Sequence, residues 1–130
     1  KGRNILICED NVINSEILKE MLESEGMVCE QAFNGSEGVE KARSRNYDII
    51  MMDIRMPVMD GYQATREIRE FDVDTPIVAL SANVFADEIQ NAFESGMDEF
   101  LEKPVIMSKM FSVFGQLLST TPDSPSQGPD

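Results

Sequence analysis

Five polar side chains follow apolar runs of this sequence, and their types are those that bind cations and phosphate groups. Glu9 and Asp10 follow the first run, Asp53 ends another, and Ser81 and Lys103 follow two later ones. The carboxyl ends of parallel strands meet at one edge of a sheet, so these side chains would converge there. Three grouped carboxylates repel one another strongly unless a cation neutralises them. We therefore predict a cation site at this edge.

The donor types narrow the chemistry of that site. Oxygen ligands without histidine or cysteine suit a hard cation, and Mg²⁺ is favoured because it needs few protein ligands and keeps several waters. Lys103 offers a point charge for a phosphate-like group, and Ser81 offers a hydroxyl donor. A carboxylate among these groups is suited to accept a phosphoryl group. Each residue alone could also be only a polar residue where a strand meets a loop.

The elements that would position these side chains alternate along the chain. Short β-rich apolar runs predict strands over residues 4–8, 27–33, 48–53, 77–80 and 99–102, and helical spacing predicts helices over 12–25, 34–45, 60–70, 84–95 and 107–118. Asn34 with Glu37, and Asp60 with Gln63, look like helix caps. Five βα units imply a parallel sheet with helices on both faces.

Composition excludes several classes of function. The sequence has 24 Asp and Glu against 11 Lys and Arg, a net charge of −13, which argues against a nucleic-acid-binding face and disfavours anionic lipid. No apolar run approaches the roughly 18–20 residues of a membrane span. The absence of histidine excludes Ser-His and Cys-His catalysis and a phosphohistidine on this chain. Cys8 and Cys29 lie in apolar runs, which indicates buried, reduced thiols in a cytoplasmic protein.

The two ends of the chain carry separate expectations. The first residue is Lys1 rather than Met, so we expect an excised piece of a longer protein. Residues 119–130 hold three of the six prolines and no large apolar side chain. That composition predicts one domain over residues 1–119, followed by a disordered Pro/Ser tail or linker over residues 120–130.

Four motifs together resemble the receiver domain of two-component response regulators. They are Ile-Cys-Glu-Asp-Asn, Met-Met-Asp-Ile-Arg-Met-Pro-Val-Met-Asp-Gly, Leu-Ser-Ala-Asn and Glu-Lys-Pro, and the resemblance covers residues 3–119. The stretch from Arg55 through Arg69 is most similar to receivers of hybrid sensor histidine kinases. The resemblance implies a flavodoxin-like (CheY-like) three-layer α/β/α fold, with a five-stranded parallel sheet in the order 2-1-3-4-5.

The resemblance also implies a metal centre around a phosphoacceptor. Asp53 would accept the phosphoryl group. Asp10 and Asp53 would ligate Mg²⁺ directly, together with the backbone carbonyl of Arg55, and Glu9 would act mainly through water. The same Arg55 side chain could shield the acyl phosphate or block a water, and the sequence does not choose between these two effects.

The remaining roles concern the response to phosphorylation. The resemblance implies that Lys103 holds the phosphoryl group and that its bond to Pro104 is cis. Ser81 would be the switch hydroxyl and Phe100 its aromatic partner: Ser81 would move toward the phosphoryl oxygen while Phe100 turns inward.

The resulting hypothesis is a phosphoacceptor module that takes a phosphoryl group from a histidine kinase or a histidine phosphotransfer domain. It would not be a stand-alone turnover enzyme, although the parent protein could be a histidine kinase. One alternative is a Mg²⁺-dependent phosphatase with an aspartyl nucleophile, but Asp53-Ile54-Arg55 lacks the second Asp of a D-x-D pattern. Another is an interaction module with an unused site. If the apolar stripe of the last helix is partly exposed, the face of helix 4, strand 5 and helix 5 would be the output or homodimer surface.

Overall fold

The computed structural model describes residues 2–119, which form a parallel sheet between two layers of helices. The five strands are β1 (Asn4–Cys8), β2 (Val28–Ala32), β3 (Ile49–Asp53), β4 (Ile77–Ser81) and β5 (Glu99–Glu102). The helices are α1 (Val12–Glu23), α2 (Gly35–Ser44), α3 (Gly61–Arg69), α4 (Ala86–Ser95) and α5 (Met107–Ser119). The strand order β2-β1-β3-β4-β5 confirms the predicted fold. The tail predicted over residues 120–130 lies outside the described residues.

Two apolar clusters form the core, one on each face of the sheet. Successive side chains of a strand point to opposite faces, so Leu6 of β1 enters one cluster while Ile7 enters the other. The first cluster takes side chains from α2, α3 and α4, and the second takes them from α1 and α5. All five residues of β3 are buried, as expected of a central strand covered on both faces. The chain after β1 and the chain after β3 therefore turn to opposite sides of the sheet.

Two predicted helix starts are present in the structure. The side chain of Asn34 accepts a hydrogen bond from the backbone N–H of Glu37 at 2.8 Å, and that of Asp60 accepts one from Gln63 at 2.9 Å. The Glu37 carboxylate reaches back to the N–H of Phe33 at 2.8 Å, which completes a reciprocal cap. The Gln63 side chain instead bonds Glu67, so only half of that cap forms. These caps fix the positions at which α2 and α3 begin.

Helix α1 carries two rows of apolar residues, and the sheet covers mainly one of them. Ile13, Ile17 and Met21 share one helical row, yet Ile13 is 71% and Ile17 51% exposed. The buried side chains are those of Leu18 and Leu22. Helical spacing identified both rows but did not indicate which of them the sheet covers.

Helices α4 and α5 divide their apolar residues between core and surface. On α5, Met110 and Phe114 are buried and belong to the core. Helix α4 begins at Ala86 rather than at 84, and Phe85 and Phe93 are exposed while Glu88 is almost buried. Within residues 2–119, no helix is long and apolar enough to cross a membrane.

Asp72 closes the turn between α3 and β4. Its carboxylate accepts hydrogen bonds from the backbone N–H groups of Asp74 and Thr75 at 3.0 and 3.1 Å, and from the Thr75 hydroxyl at 2.5 Å. Burial alone would raise the pKa of Asp72, but these hydrogen bonds and the nearby Arg69 outweigh it and lower the pKa below its ordinary value.

We expect Asp72→Ala to lower the free energy of unfolding by about 1 kcal/mol at neutral pH, because three hydrogen bonds to one turn are lost. The pKa of Asp72 is lower in the folded than in the unfolded protein, so its contribution is present above the unfolded-state pKa. It is lost as the pH falls through the folded-state pKa, so the variant and the parent protein should converge in acid. Urea titrations at several pH values test this, with Asp72→Asn as the uncharged control of similar shape. A difference that stays constant with pH would contradict a role for the charge.

Candidate functional site

A cleft of about 260 Å³ opens at the carboxyl edge of the sheet. It lies where the chain turns to opposite faces after β1 and after β3, the position at which open α/β sheets form ligand sites. The predicted residues Glu9, Asp10, Asp53, Ser81 and Lys103 all line it. The structure therefore brings together the side chains that the strand ends predicted.

Three carboxylates form the acidic part of this cleft. Ligand oxygens of Glu9, Asp10 and Asp53 lie within 4.8 Å of one another. Glu9 is 1% and Asp53 3% exposed, whereas Asp10 faces solvent. An all-oxygen set with one open side fits a hard cation that keeps part of its water shell. The donor set therefore suits Mg²⁺.

Lys103 lies between the two buried carboxylates. Its Nζ is 2.8 Å from Oδ2 of Asp53 and 2.9 Å from Oε1 of Glu9. Burial alone would lower the pKa of Lys103, but the hydrogen bond to Asp53 and the ion pair with Glu9 outweigh it and raise the pKa. Burial raises the pKa of Glu9, and the ion pair with Lys103 opposes that effect. The single ammonium balances only one of the three carboxylates, so the cluster keeps a net charge of −2. A bound cation would neutralise that remaining charge.

The position of Asp53 is fixed by its own backbone and by α3. Its Oδ1 accepts the N–H of Arg55 at 3.1 Å while Oδ2 faces Lys103. Gly61 starts α3 directly against the end of β3, where an added β-carbon would lie 2.3 Å from the carbonyl oxygen of Asp53. Glycine at this position thus permits the close approach of helix and strand.

Ser81 has a partner that the sequence did not indicate. Its Oγ accepts the N–H of Asn83 at 3.0 Å and lies 3.2 Å from Oε1 of Glu88. The other oxygen, Oε2 of Glu88, accepts from Nη2 of Arg55 at 2.6 Å. Among the described residues, the Arg55 guanidinium thus pairs with Glu88 and not with the three carboxylates of the cleft. An acidic residue in the first turn of a helix is typical of dipole complementarity, so Glu88 carried no distinct signal.

The resemblance also implied a cis bond before Pro104 and a switch role for Phe100. The Lys103–Pro104 peptide bond is cis. Phe100 of β5 is half-buried and packs against the apolar cluster under α2, α3 and α4. It is not among the described residues that line the cleft.

The sequence is similar to a known protein family and to parts of several known proteins. The model of the response regulator receiver domain matches residues 5–114. Hybrid signal transduction histidine kinase G of Dictyostelium discoideum is 46% identical over 106 residues, which are 78% of this chain and 3% of that protein. Sensor histidine kinase RcsC of Escherichia coli K12 is 33% identical over 123 residues, 92% of this chain and 13% of that protein. The chain therefore spans only a small part of these relatives.

Solved structures give a matching result. The receiver domain of sensor histidine kinase PA1611 of Pseudomonas aeruginosa PAO1 superimposes with a TM-score of 0.86 at 35% identity, covering 92% of this chain and all of that one. That structure has a magnesium ion coordinated in its active site cleft. The signal receiver domain of a histidine kinase from Syntrophus aciditrophicus gives a TM-score of 0.84 at 31% identity, with 93% of each chain covered.

Proposed function

The chain belongs to the response regulator receiver domain family, and on that premise we propose that it accepts a phosphoryl group on Asp53 within a phosphorelay. The observation that carries the proposal is the placement of Asp53. Its carboxylate is buried at the end of β3, with one oxygen 2.8 Å from the Lys103 ammonium and with Glu9 and Asp10 beside it. This is a nucleophile with charge-neutralising groups already in place.

The proposed reaction transfers a phosphoryl group from a histidine nitrogen of the donor to a carboxylate oxygen of Asp53. A carboxylate oxygen of Asp53 attacks the phosphorus of a phosphohistidine; the new O–P bond forms as the N–P bond breaks, and the imidazole keeps the bonding electrons and takes up a proton. Lys103 neutralises charge on the transferring oxygens, and the Ser81 hydroxyl donates to one of them in the product. Both assignments draw on the position of these side chains around the cleft.

We further propose that the acidic cluster holds Mg²⁺. Asp10, Asp53 and the backbone carbonyl of Arg55 would be direct ligands, and Glu9 would act mainly through water. Support comes from the all-oxygen donor set and from the magnesium ion in the receiver of Pseudomonas aeruginosa. The ion would supply charge neutralisation on the phosphoryl oxygens.

The phosphoryl donor is proposed to be a histidine kinase or a histidine phosphotransfer domain. The 130-residue sequence contains no histidine, so the phosphohistidine must lie outside it. The parent would be a hybrid sensor histidine kinase like the relatives, and the free thiols Cys8 and Cys29 suit the cytoplasm. The face of α4, β5 and α5, with exposed Phe93 and Met107, would serve output or homodimer formation.

The test is intact mass after incubation with a small acyl phosphate, with Mg²⁺ or with a chelator. We expect a gain of one phosphoryl group that falls at least about tenfold when the cation is removed, because repulsion from the carboxylates then opposes an anionic donor. Labelling that is equal with and without Mg²⁺ would contradict the metal assignment. A chain labelled neither by acyl phosphate nor by a phosphorylated partner would indicate an interaction module. Repeated release of phosphate from a phosphomonoester would indicate a phosphatase.

A further inference from the structure

Glu88 contacts three separate parts of the structure, two through its nearly buried carboxylate and one through its backbone carbonyl. From β4, Ser81 Oγ lies 3.2 Å from its Oε1; from the loop after β3, Arg55 Nη2 donates to its Oε2 at 2.6 Å. From α3, the Tyr62 hydroxyl donates to its backbone carbonyl at 3.3 Å. Glu88 is only 9% exposed and lies in the first turn of α4. Its contacts therefore connect the phosphoacceptor cleft to the start of α4.

The hydrogen bonds that Ser81 makes in the unphosphorylated protein must break before its hydroxyl can donate to a phosphoryl oxygen. Its hydroxyl has one proton, and the acceptors within reach are the Glu88 carboxylate and the Asn83 carbonyl oxygen at 3.1 Å. A charged acceptor binds a hydroxyl more strongly than a neutral one does. To donate to a phosphoryl oxygen on Asp53, Ser81 has to give up these acceptors. Whatever stabilises Ser81 on Glu88 therefore opposes its move toward Asp53.

Arg55 stabilises Glu88 in this arrangement. Its guanidinium is the cation that compensates the nearly buried Glu88 carboxylate, although the arginine side chain itself is 69% exposed. An unpaired carboxylate in this position would turn toward solvent, because burial of an uncompensated charge is costly. The pair with Arg55 thus keeps Glu88 within reach of Ser81.

We propose that Glu88, anchored by Arg55, is a positioning residue that holds the Ser81 hydroxyl in the unphosphorylated arrangement. This inference rests on the proposed function, since it assigns a constraint on the same site. Glu88 adds stability to the resting state alone, so its contacts shift the two-state equilibrium away from the phosphorylated form. Release of Ser81 also removes one of the contacts that fix the first turn of α4.

The test is the affinity of the Mg²⁺-loaded protein for beryllofluoride, a mimic of the phosphoryl group. Glu88→Ala should bind it at least about threefold more tightly than the parent, because the resting state loses its constraint. The matched control is Glu94→Ala, which removes an exposed carboxylate of the same helix that accepts a hydrogen bond from the Gln90 side chain. Equal or weaker binding by Glu88→Ala overturns the proposal.

Glu88→Ala also frees Arg55, so the substitution is repeated in a Ser81→Ala background. There the gain in affinity should vanish, and a gain that survives overturns the assignment to Ser81. Glu88→Gln keeps the shape and an acceptor oxygen but loses the charge, so its gain in beryllofluoride affinity should be smaller. This variant replaces Glu88→Ala if the alanine variant does not fold.

Intact-mass labelling of the parent distinguishes failure of the proposed function, phosphorylation of Asp53, from failure of the role proposed for Glu88. A parent that is neither labelled nor binds beryllofluoride overturns both, whereas a labelled parent with unchanged Glu88→Ala affinity overturns this inference alone.

Discussion

Asp53→Asn is expected to abolish acyl-phosphate labelling, a loss of at least about 100-fold, while the protein stays folded. The amide has nearly the volume of the carboxylate, and it can still accept the backbone N–H of Arg55 at this 3%-exposed position. What it lacks is a nucleophilic, negatively charged oxygen facing Lys103. Intact mass measures the loss, and thermal denaturation checks the fold.

Asp60→Asn is the matched control for that experiment. Asp60 is an exposed carboxylate that caps α3 close to the cleft, and asparagine caps a helix about as well as aspartate does. Labelling of this variant should equal that of the parent. If Asp53→Asn were still labelled stoichiometrically, the nucleophile would have to be another group, and Asp10 and Glu9 would be the first to replace.

The strands could be predicted because burial on both faces of a sheet gives nearly continuous apolar runs in the sequence, whereas their order was implied by the resemblance to receiver domains. The runs that became β3 and β4 are apolar almost throughout, and both strands are fully buried. Their polar ends then predicted the cleft, since strand ends in such a sheet meet at one edge. This inference needed no knowledge of side-chain orientation.

The sequence could not predict which face of each helix is buried or which side chains pair inside the site, because both depend on packing between distant parts of the chain. The exposed Ile13 and Phe93 follow helical spacing as well as buried residues do, so periodicity alone could not orient α1 and α4. Glu88 pairs with Arg55 across 33 positions of sequence, and no local pattern marks that contact. Glu88 can be buried because the fold brings the guanidinium of Arg55 next to its carboxylate.

The sequence also predicted only half of what Lys103 does. Its expected role was to hold a phosphoryl group, but in the structure it neutralises Asp53 and Glu9 before any phosphoryl group arrives. In the proposed reaction, the same ammonium would compete with a metal ion for the negative charge of the cleft and would later compensate the charge of the phosphorylated product. These two effects predict opposite consequences of its removal for metal binding and for phosphorylation.

Lys103→Ala is accordingly expected to tighten Mg²⁺ binding while slowing labelling at least about 100-fold, because the transferring oxygens lose their fixed cation. In the metal-free protein, Asp53 and Glu9 would face each other without a cation. We expect the free energy of unfolding to fall by about 2 kcal/mol, less than the roughly 3–5 kcal/mol of a fully buried pair, because the lysine side chain is 22% exposed. Mg²⁺ should restore more stability to this variant than to the parent.

Magnesium titrations followed by calorimetry, urea unfolding with and without Mg²⁺, and labelling rates by intact mass measure the three effects. Lys109→Ala removes one positive charge from an exposed position of α5 and is the matched control. If it tightened Mg²⁺ binding as much as Lys103→Ala does, the effect would come from net charge and not from the contacts at the cleft. If Lys103→Ala bound Mg²⁺ more weakly than the parent, the ammonium would not be a competitor of the cation. The structure favours competition, because Nζ of Lys103 already lies close to two of the three carboxylates that would bind the cation. The positive charge of the lysine reduces the attraction of those carboxylates for a metal ion.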